Sequence, residues 1–474
     1  MPASRTVPLI LAVALFMENM DSTVIATSLP AIAIDIGTNP IALKLALTSY
    51  LVSLAIFIPL SGWMADKFGA KNIFRAAIAV FVIGSIACAT SGSLGSFVVA
   101  RFLQGMGGAM MTPVGRLVLV RSTPKSELVA AMSWLTVPAL IGPLIGPPVG
   151  GFITTYFSWH WIFIINVPIG LLGIMLATKF LPESAAVETP RLDFAGLVLS
   201  GIGAAGIVFG ISVMSLPALP PIYGVLTMLT GAVCIALYLW HARRTPNPLL
   251  ALRLFNNQVF RTSVLGGSMF RLGIGAVPFL LPLMLQIAFG LNPFQSGMIT
   301  FVTALGAMGM KFATSWIFRT FGFRRVLIFG SILAAGTIAI YGFFTPETSI
   351  ALMMMLIFFG GLIRSMFFTG VNAFSYAEIP PEDMSKATPI VAVAQQLSVA
   401  LGVALAGGVL ELQTLIHDRP LDLADFHVAF FIVAAVSALA SIAFMRLPAD
   451  AGSAVSGHAL IRPVTQEESE TAKA

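Results

Sequence analysis

Val7-Pro-Leu-Ile-Leu-Ala-Val-Ala-Leu-Phe-Met-Glu18-Asn-Met-Asp21-Ser-Thr-Val-Ile-Ala-Thr-Ser-Leu29 is the stretch whose reading decides the fold. About 20 mostly apolar residues suffice for a helix to cross roughly 30 Å of hydrocarbon, and this run meets that length. Glu18 and Asp21 do not belong in the apolar core of a cleaved signal peptide, so the segment reads as a retained span.

The rest of the chain repeats the pattern. Of 474 residues, 57% are apolar and 10% charged, against roughly 25% charged in soluble domains. No long segment supplies the polar surface of a soluble domain. Span-length stretches run approximately 7–29, 45–65, 75–93, 96–120, 130–153, 160–181, 194–214, 221–241, 262–287, 296–318, 325–345, 349–373, 388–413 and 426–447. The expectation is an all-α polytopic membrane protein with fourteen spans.

The net charge of +6 does not point to nucleic acid, because Lys and Arg are scattered through short loops rather than gathered on a basic face. Their sidedness is the useful signal. Of the 26 Lys and Arg residues, nineteen fall in the two tails and in loops on one side, two (Lys44 and Arg419) fall on the other, and five lie inside spans. Basic residues near span ends accumulate in the cytoplasm, so both termini are expected there, with the protein in the cell (inner) membrane. Cys88 and Cys234 sit in apolar runs and read as structural thiols. No metal-ligand spacing, phosphate-binding loop or cluster of catalytic side chains is visible, so neither cofactor, metal, ATP-driven pumping nor enzyme chemistry is expected.

An internal repeat divides the chain. Trp63-Met-Ala-Asp66-Lys-Phe-Gly69-Ala-Lys71 resembles Trp316-Ile-Phe-Arg319-Thr-Phe-Gly322-Phe-Arg324, as expected for a transporter of duplicated halves with the site between them. The expected units are a six-helix bundle over 1–181, a linker with two extra spans over 182–261, a second six-helix bundle over 262–448 and a disordered tail over 449–474.

Glu18, Asp21, Arg101, Arg116, Arg271, Lys311 and Arg364 lie within spans. At about +2.5 to +3.5 kcal/mol for a central charge, such residues should face a cavity or a partner; for Arg116 and Lys311, snorkelling to a span end is the alternative. Glu18 and Asp21 are three residues apart on one helix face and are expected to share an environment, a switchable proton site. Arg101 falls at a depth where it could meet Asp21, either to tune that site or as a permanent packing pair. Gln104, Arg271 and Arg364 are candidates for a substrate cavity. In span five, Gly142, Gly146 and Gly150, with Gly151, Pro143 and Pro147, predict a closely packed, bent helix.

These motifs resemble a known family. Gly62-Trp-Met-Ala-Asp66-Lys-Phe-Gly69-Ala-Lys71 looks like the signature loop of the major facilitator superfamily, and Arg101-Phe-Leu-Gln104-Gly105-Met-Gly107-Gly108 resembles its helix-four motif. Gly142 to Gly151 is similar to its antiporter motif. Asp21-Ser-Thr23-Val24-Ile-Ala-Thr-Ser-Leu29-Pro30 and Trp159-His-Trp161-Ile-Phe163-Ile-Ile-Asn166-Val-Pro168-Ile-Gly170 resemble marks of the fourteen-span drug:proton antiporter branch, which includes bacterial multidrug-resistance proteins. The resemblance covers about Asp21 to Arg446. It implies two six-helix bundles plus two inserted helices, alternating access, gating by Gly62, Asp66, Gly69 and Lys71, and export of small molecules from the cytoplasm in exchange for protons carried by Asp21, with Glu18 its partner or a substrate contact.

Two departures stand out. Arg319 occupies the repeat position of Asp66, and the family's late-span acid has no clear match, Glu411 lying near the outer end of span thirteen. Together with Arg271 and Arg364 this raises the case for anionic or zwitterionic cargo, so export of a small anionic metabolite such as a carboxylate stands as the alternative, alongside a membrane sensor that does not transport. Small-molecule substrate, protons and membrane lipid are the expected partners; a monomer should suffice, with oligomeric state open.

Overall fold

A computed structural model describes residues 3–124, 127–183, 189, 191–214, 219–448 and 451–452. The tail expected from Ala449 lies outside the described residues apart from Ala451 and Gly452. All regular structure among the described residues is helical, with fourteen helices of spanning length: α1 (Ala3–Val24), α2 (Lys44–Phe68), α3 (Ala70–Ala89), α4 (Leu94–Ser122), α5 (Leu128–Tyr156), α6 (Trp161–Phe180), α7 (Phe194–Met214), α8 (Pro221–Ala242), α9 (Gln258–Ile287), α10 (Pro293–Phe321), α11 (Phe323–Tyr341), α12 (Ile350–Phe374), α13 (Met384–His417) and α14 (Leu423–Met445). Twelve qualify as spans on length and hydropathy; α4, which carries Arg101, Arg116 and Arg121, and α5 complete the set.

Local sequence sets the helix ends. Ser93 with Ser96, Asn292 with Gln295, and Asp422 with Asp425 form capping boxes at the starts of α4, α10 and α14, satisfying amide donors that a helix start leaves free. The internal repeat has a backbone counterpart. Gly69 turns the chain between α2 and α3 at φ 85°, and Gly322 does the same between α10 and α11 at φ 74°, a region that side-chain-bearing residues rarely adopt.

Helices α1–α6 pack as one group and α9–α14 as another. The groups meet along two seams, α2 against α13 and α5 against α10. The α7–α8 hairpin flanks the first seam: α7 packs on α2 and α13, with Val208 in an apolar cluster with Val52 and Ala400, while α8 packs chiefly on α7.

The span-five glycines explain the second seam and its neighbour. A Cβ on Gly142 would lie 2.9 Å from the Met20 amide and the Phe16 carbonyl, and one on Gly150 2.4 Å from the Val24 carbonyl. One side of α5 therefore lies backbone to backbone on α1. A Cβ on Gly151 would meet the Pro293 carbonyl at 2.4 Å, and one on Gly297 the Pro147 carbonyl at 2.3 Å, so α5 and α10 approach across the seam just as closely.

The two ends of the molecule differ. Near the face opposite the start of α1 and the end of α14, one apolar core joins residues of both groups, among them Ile25, Leu29, Ile41, Phe97, Leu280, Met284 and Leu410. Near the face where α1 starts and α14 ends, the cores are separate, one built from α1–α6 residues and two from residues of the C-terminal part. Burial of shared apolar surface thus holds the far face shut, and among the described residues no core of that size bridges the groups at the other face.

Candidate functional site

Asp21 is the centre of a buried network. Arg101 Nη1 donates to its Oδ2 at 2.8 Å, and Gln104 Nε2 and Asn166 Nδ2 both donate to its Oδ1 at 2.8 Å. Gln104 also donates to Ser85 Oγ at 2.8 Å, and the Arg101 guanidinium carbon lies 4.3 Å from the centre of the Tyr50 ring. Asp21 is 0% and Arg101 1% exposed. The network ties α1 to α3, α4 and α6. Removing one partner of such a pair leaves an uncompensated charge, at a cost of about 3–5 kcal/mol.

Glu18 occupies different surroundings. It lines a cavity of about 430 Å³ between the two groups and accepts a hydrogen bond from Thr112 Oγ1 at 2.8 Å. The shared environment expected of the two acids is therefore not what the fold provides: Asp21 points into the packed helices and Glu18 onto the cavity wall. The opposite group contributes Lys311 and Arg364 to the lining of the same cavity. Apolar residues such as Leu47, Leu54, Val277 and Phe279 fill most of the remainder, with Pro143 and Pro147 of α5 among them.

Two expected cavity residues lie elsewhere. Gln104 is 0% exposed because its amide is committed to Asp21 and Ser85. Arg271 is buried between α9 and α12, where its Nη2 donates to Asn372 Oδ1 at 2.7 Å. Arg116 is exposed. In the signature loop, Asp66 accepts from Arg121 Nη2 at 2.5 Å and Lys71 pairs with Glu183, just past α6, at 2.9 Å, so neither ion pair reaches the second group; Gly62 is exposed and Gly69 supplies the turn described above.

A second cavity, about 1380 Å³, lies at the base of the hairpin, with Asp66, Arg191, Asp193, Arg243, Arg253 and Lys386 on its wall. Asp193 anchors the hairpin there, paired with His241 at 2.7 Å and accepting the amides of Gly196 and Leu249 at 2.8 and 3.0 Å. Burial pushes this carboxyl upward, but the bonds from His241 and the two amides outweigh it and hold the group below its ordinary range.

Sequence reasoning missed one pair. Lys44, assigned to a loop, is the first residue of α2 and 0% exposed, and its ammonium is ion-paired with Glu411 of α13, 2% exposed. This contact crosses the first seam near the far face, in space left by Gly407, whose added Cβ would sit 2.4 Å from the Lys44 chain. Asn166 was also unassigned; an amide inside an apolar run, within a motif already noted, was the available signal.

The comparisons agree with this architecture. The Major Facilitator Superfamily model matches residues 11–260 and 263–467. The chain is 35% identical to "Putative multidrug resistance protein MdtD" of Yersinia enterocolitica over 447 residues, covering 94% of this chain and 95% of that one. It is 36% identical to the protein of the same name from Klebsiella pneumoniae, again over 94% and 95%. Among solved structures, a D-xylose-proton symporter superposes with a TM-score of 0.69 at 17% identity, over 94% of this chain and 98% of that one. The nucleoside transporter NupG does so at 0.67 and 14%, over 93% and 99%. These relatives are transporters rather than enzymes, and this multi-pass membrane transporter belongs to the major facilitator superfamily.

Proposed function

We propose that the protein exports small molecules from the cytoplasm in exchange for protons, by alternating access of the cavity between its two six-helix groups. The observation that carries this reading is Glu18, an acid on the wall of the central cavity and inside a membrane span. An ionisable residue there is costly, faces a cavity or a partner, and by default marks a substrate or proton pathway. The relatives named for multidrug resistance support the same reading.

The face where α1 starts and α14 ends is cytoplasmic, on the strength of the basic residues gathered in its loops. The two basic residues of the far face are both engaged, Lys44 with Glu411 and Arg419 with Asp425. With the far-face core shut, the cavity serves the cytoplasm. Substrate binds while Glu18 is unprotonated; after the far face opens, a proton arriving from outside takes Glu18 and favours release. Asp21, closed in by Arg101, Gln104 and Asn166, acts as a positioning residue that couples movement of α1 to α4 and α6. The pairs Asp66–Arg121 and Lys71–Glu183 hold the cytoplasmic ends of the first group together as it moves.

Substrate-driven proton movement in proteoliposomes tests this. Glu18→Gln should abolish coupling, and Asp21→Asn should impair it together with transport. Unchanged coupling in both variants overturns the assignment, and flux without any proton movement makes the protein a facilitator.

A further inference from the structure

The charged side chains on the central cavity are Glu18, Arg101, Lys311 and Arg364, with the Tyr50 phenol also on its wall. Arg101 is committed to Asp21. That leaves one acid on α1 facing a wall with two bases, and the bases lack counter-ions: Lys311 Nζ donates to the neutral Thr369 hydroxyl at 2.7 Å, and neither it nor Arg364 has a carboxylate partner among the described residues.

The two bases form one patch. Ser365 Oγ donates to the Ala307 carbonyl at 2.8 Å, which sets Arg364 of α12 level with Ala307 of α10. Lys311 follows Ala307 by four residues, about 6 Å along the helix. Arg364 is half-buried, and a partly desolvated cation without a carboxylate partner favours an anion beside it; Lys311, more exposed, adds its charge to the same patch.

Coupling then narrows the ligand. A purely anionic ligand would bind better when Glu18 is protonated, because the wall is then more positive; by linkage, proton and ligand would travel together rather than exchange. A purely cationic ligand would compete with the proton at Glu18, but it would face two uncompensated positive charges across the cavity. A ligand carrying both charges meets both demands. Its ammonium competes with the proton on Glu18, its carboxylate supplies the counter-ion that Lys311 and Arg364 lack, and its apolar body lies on Leu47, Leu54, Val277 and Phe279.

We propose that the cavity takes zwitterionic amphiphiles, amine toward Glu18 and carboxylate toward Arg364 and Lys311. This rests on reading the cavity as a transport site that exchanges ligand for protons, but it is tested by binding alone, so its failure and a failure of proton coupling in vesicles are distinguishable. The full-length protein in lipid nanodiscs is titrated with phenylalanyl-phenylalanine, its methyl ester and its N-acetyl derivative, which keep the apolar body and present both charges, the amine alone or the acid alone.

The zwitterion should bind at least about tenfold more tightly than either derivative, the scale of one lost charge-assisted hydrogen bond. Arg364→Gln should erase its advantage over the ester, and Glu18→Gln its advantage over the acetylated form. An ester or acetylated form that binds as tightly as the parent dipeptide overturns the proposal. So does binding of none of the three at millimolar concentration, or a preference that survives both substitutions. Lys311→Gln guards against an Arg364 variant that fails to fold, since it should weaken the zwitterion and the acetylated form while sparing the ester.

Discussion

Breaking the Lys44–Glu411 pair should open the far face. In the observed conformation both side chains are buried, 0% and 2% exposed, and they join α2 to α13 across the seam. Glu411→Gln leaves the Lys44 ammonium enclosed without its carboxylate, which costs about 3–5 kcal/mol when the charge cannot reach water. Separating the groups at that face hydrates Lys44 and removes the penalty, so the cost falls on the closed state alone. At 1.4 kcal/mol per tenfold, the ratio of far-face-open to far-face-closed molecules should rise by a factor of about 10² to 4 × 10³. A reporter is available in Val403, 4% exposed and one turn before Gly407 on the same side of α13. In a Cys88→Ser, Cys234→Ser background, Val403→Cys is labelled in intact cells by a membrane-impermeant thiol reagent supplied from outside. Labelling should be slow with the pair intact, and faster by about the same factor with Glu411→Gln or Lys44→Met. In the double variant Lys44→Met, Glu411→Leu it should slow again, because an apolar pair of similar volume replaces the buried ions without a stranded charge. Equal labelling rates in all four proteins would refute the latch, and a double variant as reactive as the singles would refute the charge-stranding argument behind it.

Three further outcomes follow from the packing and the hairpin anchor. Gly150→Ala puts a methyl 2.4 Å from the Val24 carbonyl, and the forced separation of α5 from α1 should cost about 1–3 kcal/mol, read as a lower thermal midpoint; an unchanged midpoint contradicts the close-approach reading. Gly69→Ala must hold φ 85° with a side chain, at about 1–3 kcal/mol of strain, and should destabilise the protein more than Gly62→Ala, where an added Cβ meets nothing. For Asp193, whose folded carboxyl sits below its ordinary range, the sign is fixed by linkage. The stabilisation is fully present above the unfolded value of about 3.9 and is lost as pH falls through the lower folded value. Asp193→Asn should therefore lower the thermal midpoint at neutral pH and flatten its decline below pH 4; a variant that declines as steeply as the parent would remove Asp193 as the source.

Much of this was legible because a bilayer restricts what a chain can do. Span length, the sidedness of Lys and Arg and the Gly69/Gly322 repeat each reflect a local requirement that one sequence states directly. Pairing across helices is a different kind of information. Lys44 looked like a loop charge because it precedes the apolar run of α2, and Glu411 looked interfacial because it lies near the end of α13; only the α2–α13 seam brings them together. Gln104 and Arg271 were expected on the cavity because intramembrane polarity announces a polar partner, but it does not say whether that partner is a substrate or another helix.

The two acids of α1 make the same point at the centre of the proposed mechanism. Three residues of helix turn through about 300°, leaving Glu18 and Asp21 only some 60° apart around the axis. Spacing alone therefore puts them on one face. In the fold, α1 sits where that face straddles a boundary: α4 and α6 supply Arg101, Gln104 and Asn166 on one side, and the seam between the groups opens on the other. A rotation of a few tens of degrees is thus enough to move an acid between a packed network and a ligand-accessible wall. That is the basis for assigning proton exchange to Glu18 and positioning to Asp21, although the motif resemblance alone ranks them the other way. It also means that a modest rotation of α1 during the transport cycle would alter the exposure of both carboxylates together.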